Sequence, residues 1–260
     1  MAEEVGIERR GGIGIIRFGN SPDALIGNRG AAGIERAAAE LLDDPAIRVL
    51  ILTGAGPGTF IRHANVDFLV RAGDALAEEK IDAASFEASP FMQLGARLDH
   101  ARKPVIAAIA GPCMGGGLEI ALACTLRIVS AAVGSIGLPE VRIDIFPGGG
   151  GTQRLMRVMT PQRARRFMLL GEVVDAAAAL TLGIVDEVVP NALTRALELA
   201  ETLAARSPDA LAAMLAMTRP RADERLAEEA RAFAEVIREA PARDRMRDFV
   251  ARGERLDAVP

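Results

Sequence analysis

Three short apolar runs, at residues 49–52, 105–109 and 126–130, most constrain what this chain can fold into, because each reads as a buried strand set between segments of helical period. Residues 31–42 carry apolar side chains at helical spacing until Asp43-Asp44-Pro45 stops them. Residues 94–101 end a second helix before Lys103-Pro104, and residues 116–124 form a third. Such alternation of strand and helix through the first two thirds predicts an α/β core. Two further β-rich runs, 5–9 and 13–18, flank Gly11-Gly12 as a hairpin, followed by a polar stretch at Asn20-Ser21-Pro22-Asp23. From about Pro161 the chain turns Ala-, Arg-, Leu- and Glu-rich, with one more strand expected at 184–189. Pro208, Pro220 and Pro241 divide helices at 193–206, 210–219 and 224–238, and a basic stretch closes the chain at 243–255. Amphipathic helices of this kind pack either on a neighbouring subunit or on their own core. No internal repeat or low-complexity linker interrupts the pattern.

With 260 residues, 50% hydrophobic and 25% charged, the chain can bury one large core or a core plus a smaller appendage. A net charge of -4, no Trp, no Tyr and nine Phe exclude nucleic acid as an expected partner, since neither phosphate attraction nor base stacking is supplied. Met1-Ala2-Glu3-Glu4 is acidic, so no signal peptide is expected, and no apolar stretch is long enough to span a bilayer. Cys113 and Cys124 lie in apolar surroundings without partners at metal-ligand spacing, so they read as buried small hydrophobes. No metal site is expected, and the compartment expected is the reducing cytoplasm.

Two carboxylates interrupt apolar, glycine-marked stretches: Glu119 after Gly115-Gly116-Gly117-Leu118, and Glu140 after Gly137-Leu138-Pro139. Burial raises a carboxyl pKa, and two carboxyls on one pocket can divide donor and acceptor roles. Singly, Glu119 could be a first-turn charge favoured by the helix dipole, and Glu140 could cap a turn or pair with Arg142. Of three glycine clusters, Gly54-Ala55-Gly56-Pro57-Gly58 lacks the spacing of a dinucleotide fingerprint, and Gly148-Gly149-Gly150-Gly151-Thr152 lacks a phosphate-loop lysine. Both read as turns where backbone approaches backbone or a ligand. The third, Gly115-Gly116-Gly117, sits between strand and helix, where unpaired N–H groups can hold an oxyanion.

The run from Lys103 through Gly115-Gly116-Gly117-Leu118-Glu119, then Gly137-Leu138-Pro139-Glu140, then Phe146-Pro147-Gly148-Gly149-Gly150-Gly151-Thr152-Gln153-Arg154-Leu155, closely resembles the crotonase family, specifically enoyl-CoA hydratases. Order and spacing agree across nearly the whole chain. The resemblance implies a spiral of ββα repeats over residues 1–190, binding acyl-CoA, and an α-helical region over 191–260 used for oligomerisation and part of the coenzyme A site. It also implies trimers, or hexamers as dimers of trimers. The substrate implied is an acyl-CoA thioester, with no separate cofactor because coenzyme A is part of that substrate.

By the same resemblance, the amides of Ala64 and Gly116 hold the thioester enolate, Glu119 activates the water that attacks C3, and Glu140 delivers a proton to C2. The implied reaction is reversible hydration of a trans-2-enoyl-CoA. The competing readings are an enoyl-CoA isomerase using Glu140 as its proton shuttle and a catalytically weak acyl-CoA-binding relative. Gly148 stands where dienoyl-CoA isomerases and hydroxyisobutyryl-CoA hydrolases carry aspartate, which disfavours both. Arg62, His63, Val66, Gly148, Phe249 and Arg252 are the implied substrate and coenzyme A contacts, with Phe249 and Arg252 matching C-terminal positions that reach a neighbouring subunit's cofactor.

Four positions depart from the pattern. His63 replaces a glycine and Asn65 an aspartate in the loop 60–66, Thr125 replaces an aspartate, and Asp144 replaces a glycine. His63 would cost on the order of 1 kcal/mol if its backbone had to be left-handed. It reads either as an added donor or base at the thioester or as a tolerated loop change. Asp144 either approaches Glu140 or pairs with Arg142 in solvent, and His100 sits at a helix C-terminus. The depth of the acyl pocket depends on how residues 85–98 pack.

Overall fold

A computed structural model describes residues 4–20, 23–219 and 223–259. Ser21-Pro22 of the polar stretch and Pro220 lie outside the described residues. The three apolar runs are central strands of one six-stranded sheet, flanked by the hairpin Glu4–Arg10 and Ile13–Gly19 on one side and by Glu187–Val189 on the other. The hairpin is antiparallel and every later pairing in this sheet is parallel.

The strands read as continuous apolar runs because both faces of the sheet are covered. Along Val49–Gly54, Val49 and Ile51 face the helix Ala192–Ala204 through Ala192, Ala196 and Ala200, while Leu50 and Leu52 face the main core. The same alternation divides Ile106 and Ala108 from Val105, Ala107 and Ile109. The expected strand at 184–189 is shorter, because Ile184 and Val185 are buried outside it and only Glu187–Val189 pairs.

Four times the chain runs from a strand of the large sheet to a two-residue strand and then to a helix. These turns are Ile13–Gly19, Leu25–Ile26, Asn28–Asp43; Val49–Gly54, His63–Ala64, Val66–Ala77; Val105–Ile109, Cys113–Met114, Gly116–Ala123; and Leu126–Ser130, Ile136–Gly137, Gly151–Val158. The last turn also contains a 3-10 helix, Glu140–Ile143. This is a crotonase-type spiral of ββα repeats. The short strands are linked laterally: Met114 N–H donates to Arg62 O at 2.7 Å and Gly115 N–H to Gly137 O at 2.9 Å. Their C-terminal ends therefore place Ala64, Gly116 and Glu140 side by side, although these lie far apart in sequence.

The C-terminal helices Asp223–Arg238 and Ala240–Ala251 fold onto their own chain. Phe233, Ile237, Met246 and Phe249 pack with Val66, Leu69 and Val70 of the helix Val66–Ala77. Gly73 permits this, since a Cβ there would lie 2.3 Å from the Ile237 carbonyl oxygen. Arg243 and Arg247, from the basic stretch, pair with Asp74 on the same helix. No helix among the described residues is long and apolar enough to cross a membrane.

Candidate active site

One cavity takes its wall from the short strands, the helices that follow them and the C-terminal region, and both Glu119 and Glu140 line it with Ala64, Gly116, His63, Val66 and Gly148. Five of the nine phenylalanines, Phe68, Phe86, Phe91, Phe146 and Phe233, complete a largely apolar lining. Phe86 and Phe146 both pack on Phe233, the latter edge to face at 5.7 Å. The helices Ala83–Glu87 and Pro90–Asp99 bring Phe86, Ser89 and Phe91 to the wall.

Glu119 lies in the first turn of Gly116–Ala123, a helix buried along its whole length. Its Oε1 accepts from the N–H of Gly149 at 2.7 Å and of Gly151 at 2.9 Å. Oε1 thus takes both amides, leaving Oε2 as the oxygen for the cavity. Glycine is required around it: a Cβ at Gly149 would stand 2.7 Å from Oε2, and one at Gly151 would stand 2.8 Å from Oε1. Burial raises the Glu119 carboxyl to about 7, reinforced by the charge of Glu229 and opposed by the two amides and Arg154.

Glu140 opens the 3-10 helix at the other side of the cavity. It is buried and its Oε2 has no hydrogen-bond partner. Burial, then the neighbouring charge of Glu119, holds its carboxyl well above the usual range. It does not pair with Arg142, whose Nη1 instead donates to the carbonyls of Leu256 and Val259 at 3.3 and 2.8 Å. The expected Asp144–Arg142 pair is therefore absent. Asp144 is exposed at φ 60°, so it occupies a left-handed position that suits glycine, and its side chain is outside the cavity.

Gly116 is the first helical residue, so its N–H has no intrahelical partner. It sits against Ala64: a Cβ on Gly116 would lie 3.2 Å from Ala64 N. His63 is strand backbone and is not among the residues of positive φ, so the left-handed strain considered from sequence does not arise. Its Nδ1 lies 2.8 Å from the Ala64 carbonyl oxygen. Since a carbonyl only accepts, Nδ1 carries the hydrogen and Nε2 of the neutral ring is an acceptor. Burial lowers the His63 pKa and so favours that neutral form. Asn65 caps Val66–Ala77 by accepting from Phe68 N–H, which an aspartate would do equally. Thr125 Oγ1 accepts from Val105 N–H and ties two strands of the large sheet together.

The remaining expected contacts divide. Arg62 and Phe249 line a second cavity adjoining the first, with His63 and Val66 shared by both. Phe249 is buried within its own chain. Arg252 lines neither cavity and pairs with Asp248 and Glu254. His100 caps the end of Pro90–Asp99. Cys113 and Cys124 are buried and unpaired, their thiols pushed up by burial.

Two buried charges at the site had no role from sequence. Arg154 donates to Asp99 at 2.9 Å and to the Gly149 carbonyl at 2.6 Å, bracing the glycine turn from behind. Glu229 accepts from Gly150 N–H at 2.5 Å, from Gln153 N–H at 3.2 Å and from the Thr152 hydroxyl. The signal for Glu229 was present: it interrupts the apolar stripe Leu226, Ala230, Phe233, Ile237 of its helix.

A ββα spiral that converges two buried carboxyls with differently held oxygens on one apolar cavity places the chain in the crotonase fold class. The sequence profile of the enoyl-CoA hydratase/isomerase family matches residues 11–257, and the chain belongs to this family. It is 39% identical over 177 residues to an enoyl-CoA isomerase/hydratase of Mycosarcoma maydis, covering 66% of this chain and 60% of that protein. Crotonyl-CoA hydratase of Syntrophomonas wolfei is 36% identical over 160 residues, 60% of this chain and 57% of its own length. The matched segment thus spans less than two thirds of either relative. The solved structure of carnitinyl-CoA hydratase from Mycobacterium avium superposes with a TM-score of 0.80 at 26% identity, covering 98% of this chain and 97% of that one.

Proposed function

We propose that the protein adds water reversibly across the double bond of a trans-2-enoyl-CoA. The observation that carries this reading is the unequal state of two carboxyls on one cavity. Near neutral pH Glu119 can supply an ionised Oε2, whereas burial without a partner favours the protonated form of Glu140. Hydration needs one base and one acid at the same time. Water gives a proton to Glu119 Oε2 as its oxygen bonds to C3. The π electrons move through C2 onto the thioester oxygen, which the amides of Ala64 and Gly116 would hold, and C2 then takes the proton of Glu140. One water is added, and the two carboxyls regain their starting states by proton exchange. Each such amide donor is worth about 3 kcal/mol of transition-state stabilisation.

Isomerisation of a 3-enoyl-CoA would instead need Glu140 ionised to remove a C2 proton, which its burial opposes. A merely acyl-CoA-binding relative would not need the glycine cradle that fixes Glu119. The second cavity, with Arg62 and Phe249, is the proposed place of coenzyme A. Assembly into trimers is part of the same reading, supported by Leu169 and Leu170, which are 67% and 57% exposed. Purified protein offered crotonyl-CoA and, separately, a 3-enoyl-CoA tests it. Loss of the enoyl absorbance from crotonyl-CoA, with slower or no turnover of the 3-enoyl thioester, is expected; the reverse preference would make the protein an isomerase.

A further inference from the structure

Four amides in and just before the first turn of the helix Gly151–Val158 are shared between two carboxylates that come from different helices. Glu119 takes Gly149 and Gly151, and Glu229 takes Gly150 and Gln153. Glu229 also accepts from Thr152 Oγ1, is 5% exposed, and lies on the C-terminal helix Asp223–Arg238. One turn further along that face, Phe233 rests on Gly148, where a Cβ would lie 2.0 Å from its ring. A single helix therefore grips the glycine turn at two points, through charge at Gly150 and through packing at Gly148.

We propose that Glu229 is a positioning residue for the water-activating carboxylate: it locks the glycine turn so that two of its amides hold Glu119 Oε1 and Oε2 stays free for water. The C-terminal helix thereby joins the acid–base apparatus without touching substrate. This rests on the hydratase reading for its kinetic consequences, but not for its structural ones. The charged or titratable groups facing Glu119 are Glu140 from the 3-10 helix, His63 from the short strand, Arg154 from the helix after the turn, and Glu229. Glu229 is the negative charge that most raises the proton affinity of Glu119, so neutralising it should shift the Glu119 titration downward.

Three variants test the proposal: Glu229→Gln, which keeps an acceptor oxygen and loses the charge; Glu229→Ala, which loses both; and Glu119→Gln, which identifies the Glu119 carboxyl band in infrared titration. The titration needs no turnover, so it reads the coupling even if crotonyl-CoA proves not to be a substrate. The expected result is a Glu119 titration moved to lower pH in Glu229→Gln. In Glu229→Ala, kcat for crotonyl-CoA should fall roughly 10- to 100-fold with KM within about twofold, as a misplaced base requires. Glu229→Gln should recover most of that kcat, with the acid limb of its pH profile displaced like the infrared titration. A Glu119 titration unmoved in Glu229→Gln would overturn the proposal. So would an Ala variant that is only less heat-stable with wild-type kcat, which would make Glu229 a structural cap. Failure of the wild type to hydrate crotonyl-CoA, with the titration shifted as expected, would contradict the hydratase reading and leave the positioning role standing.

Discussion

The two sides of the cavity are equally buried and oppositely built. On one side Glu119, 4% exposed, is fixed by two amides of a glycine turn that is itself held by Glu229 and Arg154. On the other, Glu140, 7% exposed, stands on a single 3-10 turn with Oε2 unpartnered. Burial alone would make both carboxyls neutral acids. Amides favour the ionised form, so in the proposed reaction the cradled glutamate is the base, and the bare one, whose burial favours the protonated form, is the acid. The same residue type thus stands in two different surroundings, and the proposed roles follow from that difference.

The comparison breaks most sharply when either carboxyl is removed. Glu119→Gln and Glu140→Gln should each lower kcat for hydration by roughly 10²- to 10⁴-fold in a steady-state absorbance assay, because each eliminates one proton transfer. Next comes the cradle. Gly151→Ala places a methyl 2.8 Å from Glu119 Oε1 and 2.6 Å from the Pro147 side chain, so the turn or the Glu119 carboxylate must shift. Its kcat should drop about 10²-fold at little change in the Glu140 titration, since a displacement of an ångström has that effect.

Stability sharpens the same contrast. Both glutamates have folded pKa values above the unfolded one, so their contribution to stability is fully present below about pH 4.5 and is lost as pH rises through the folded values. For Glu119 that loss runs through about pH 7, and for Glu140 through its own raised value. Glu140→Gln, which cannot ionise, should therefore lose less stability than the wild type as the pH is raised from 4 to 8, as read in denaturant titrations. The smallest effect is expected away from both carboxyls. Asn65→Ala removes a helix cap and should cost about 1 kcal/mol, and Asn65→Asp should restore it.

The large sheet was legible because its strands are apolar on both faces, and the helices because their stripes and stop signals are local. The five two-residue strands that align the site carry no period to read. Glu119, Glu140 and the glycine turn were found through their unusual polarity and family register, but what distinguishes the two acids was not. That depends on Gly149 and Gly151 arriving 30 and 32 residues after Glu119, and on a C-terminal helix returning 110 residues later to supply Glu229. Glu229 is one of many acidic residues in the sequence, and its burial depends on where the apolar stripe around it packs. The expected Asp144–Arg142 pair failed for a related reason: the chain's last residues bring carbonyls to Arg142, which no local pattern announces.

The division of labour between the two glutamates is tested most directly by hydrating crotonyl-CoA in ¹⁸O-labelled D₂O and following label at C3 and deuterium at C2 in a single turnover. The wild type should place ¹⁸O at C3 and deuterium at C2 together, and Glu119→Gln should lose the ¹⁸O at C3 by two orders of magnitude or more. Incorporation of ¹⁸O by Glu119→Gln at the wild-type rate would contradict the assignment of Glu119 as the base.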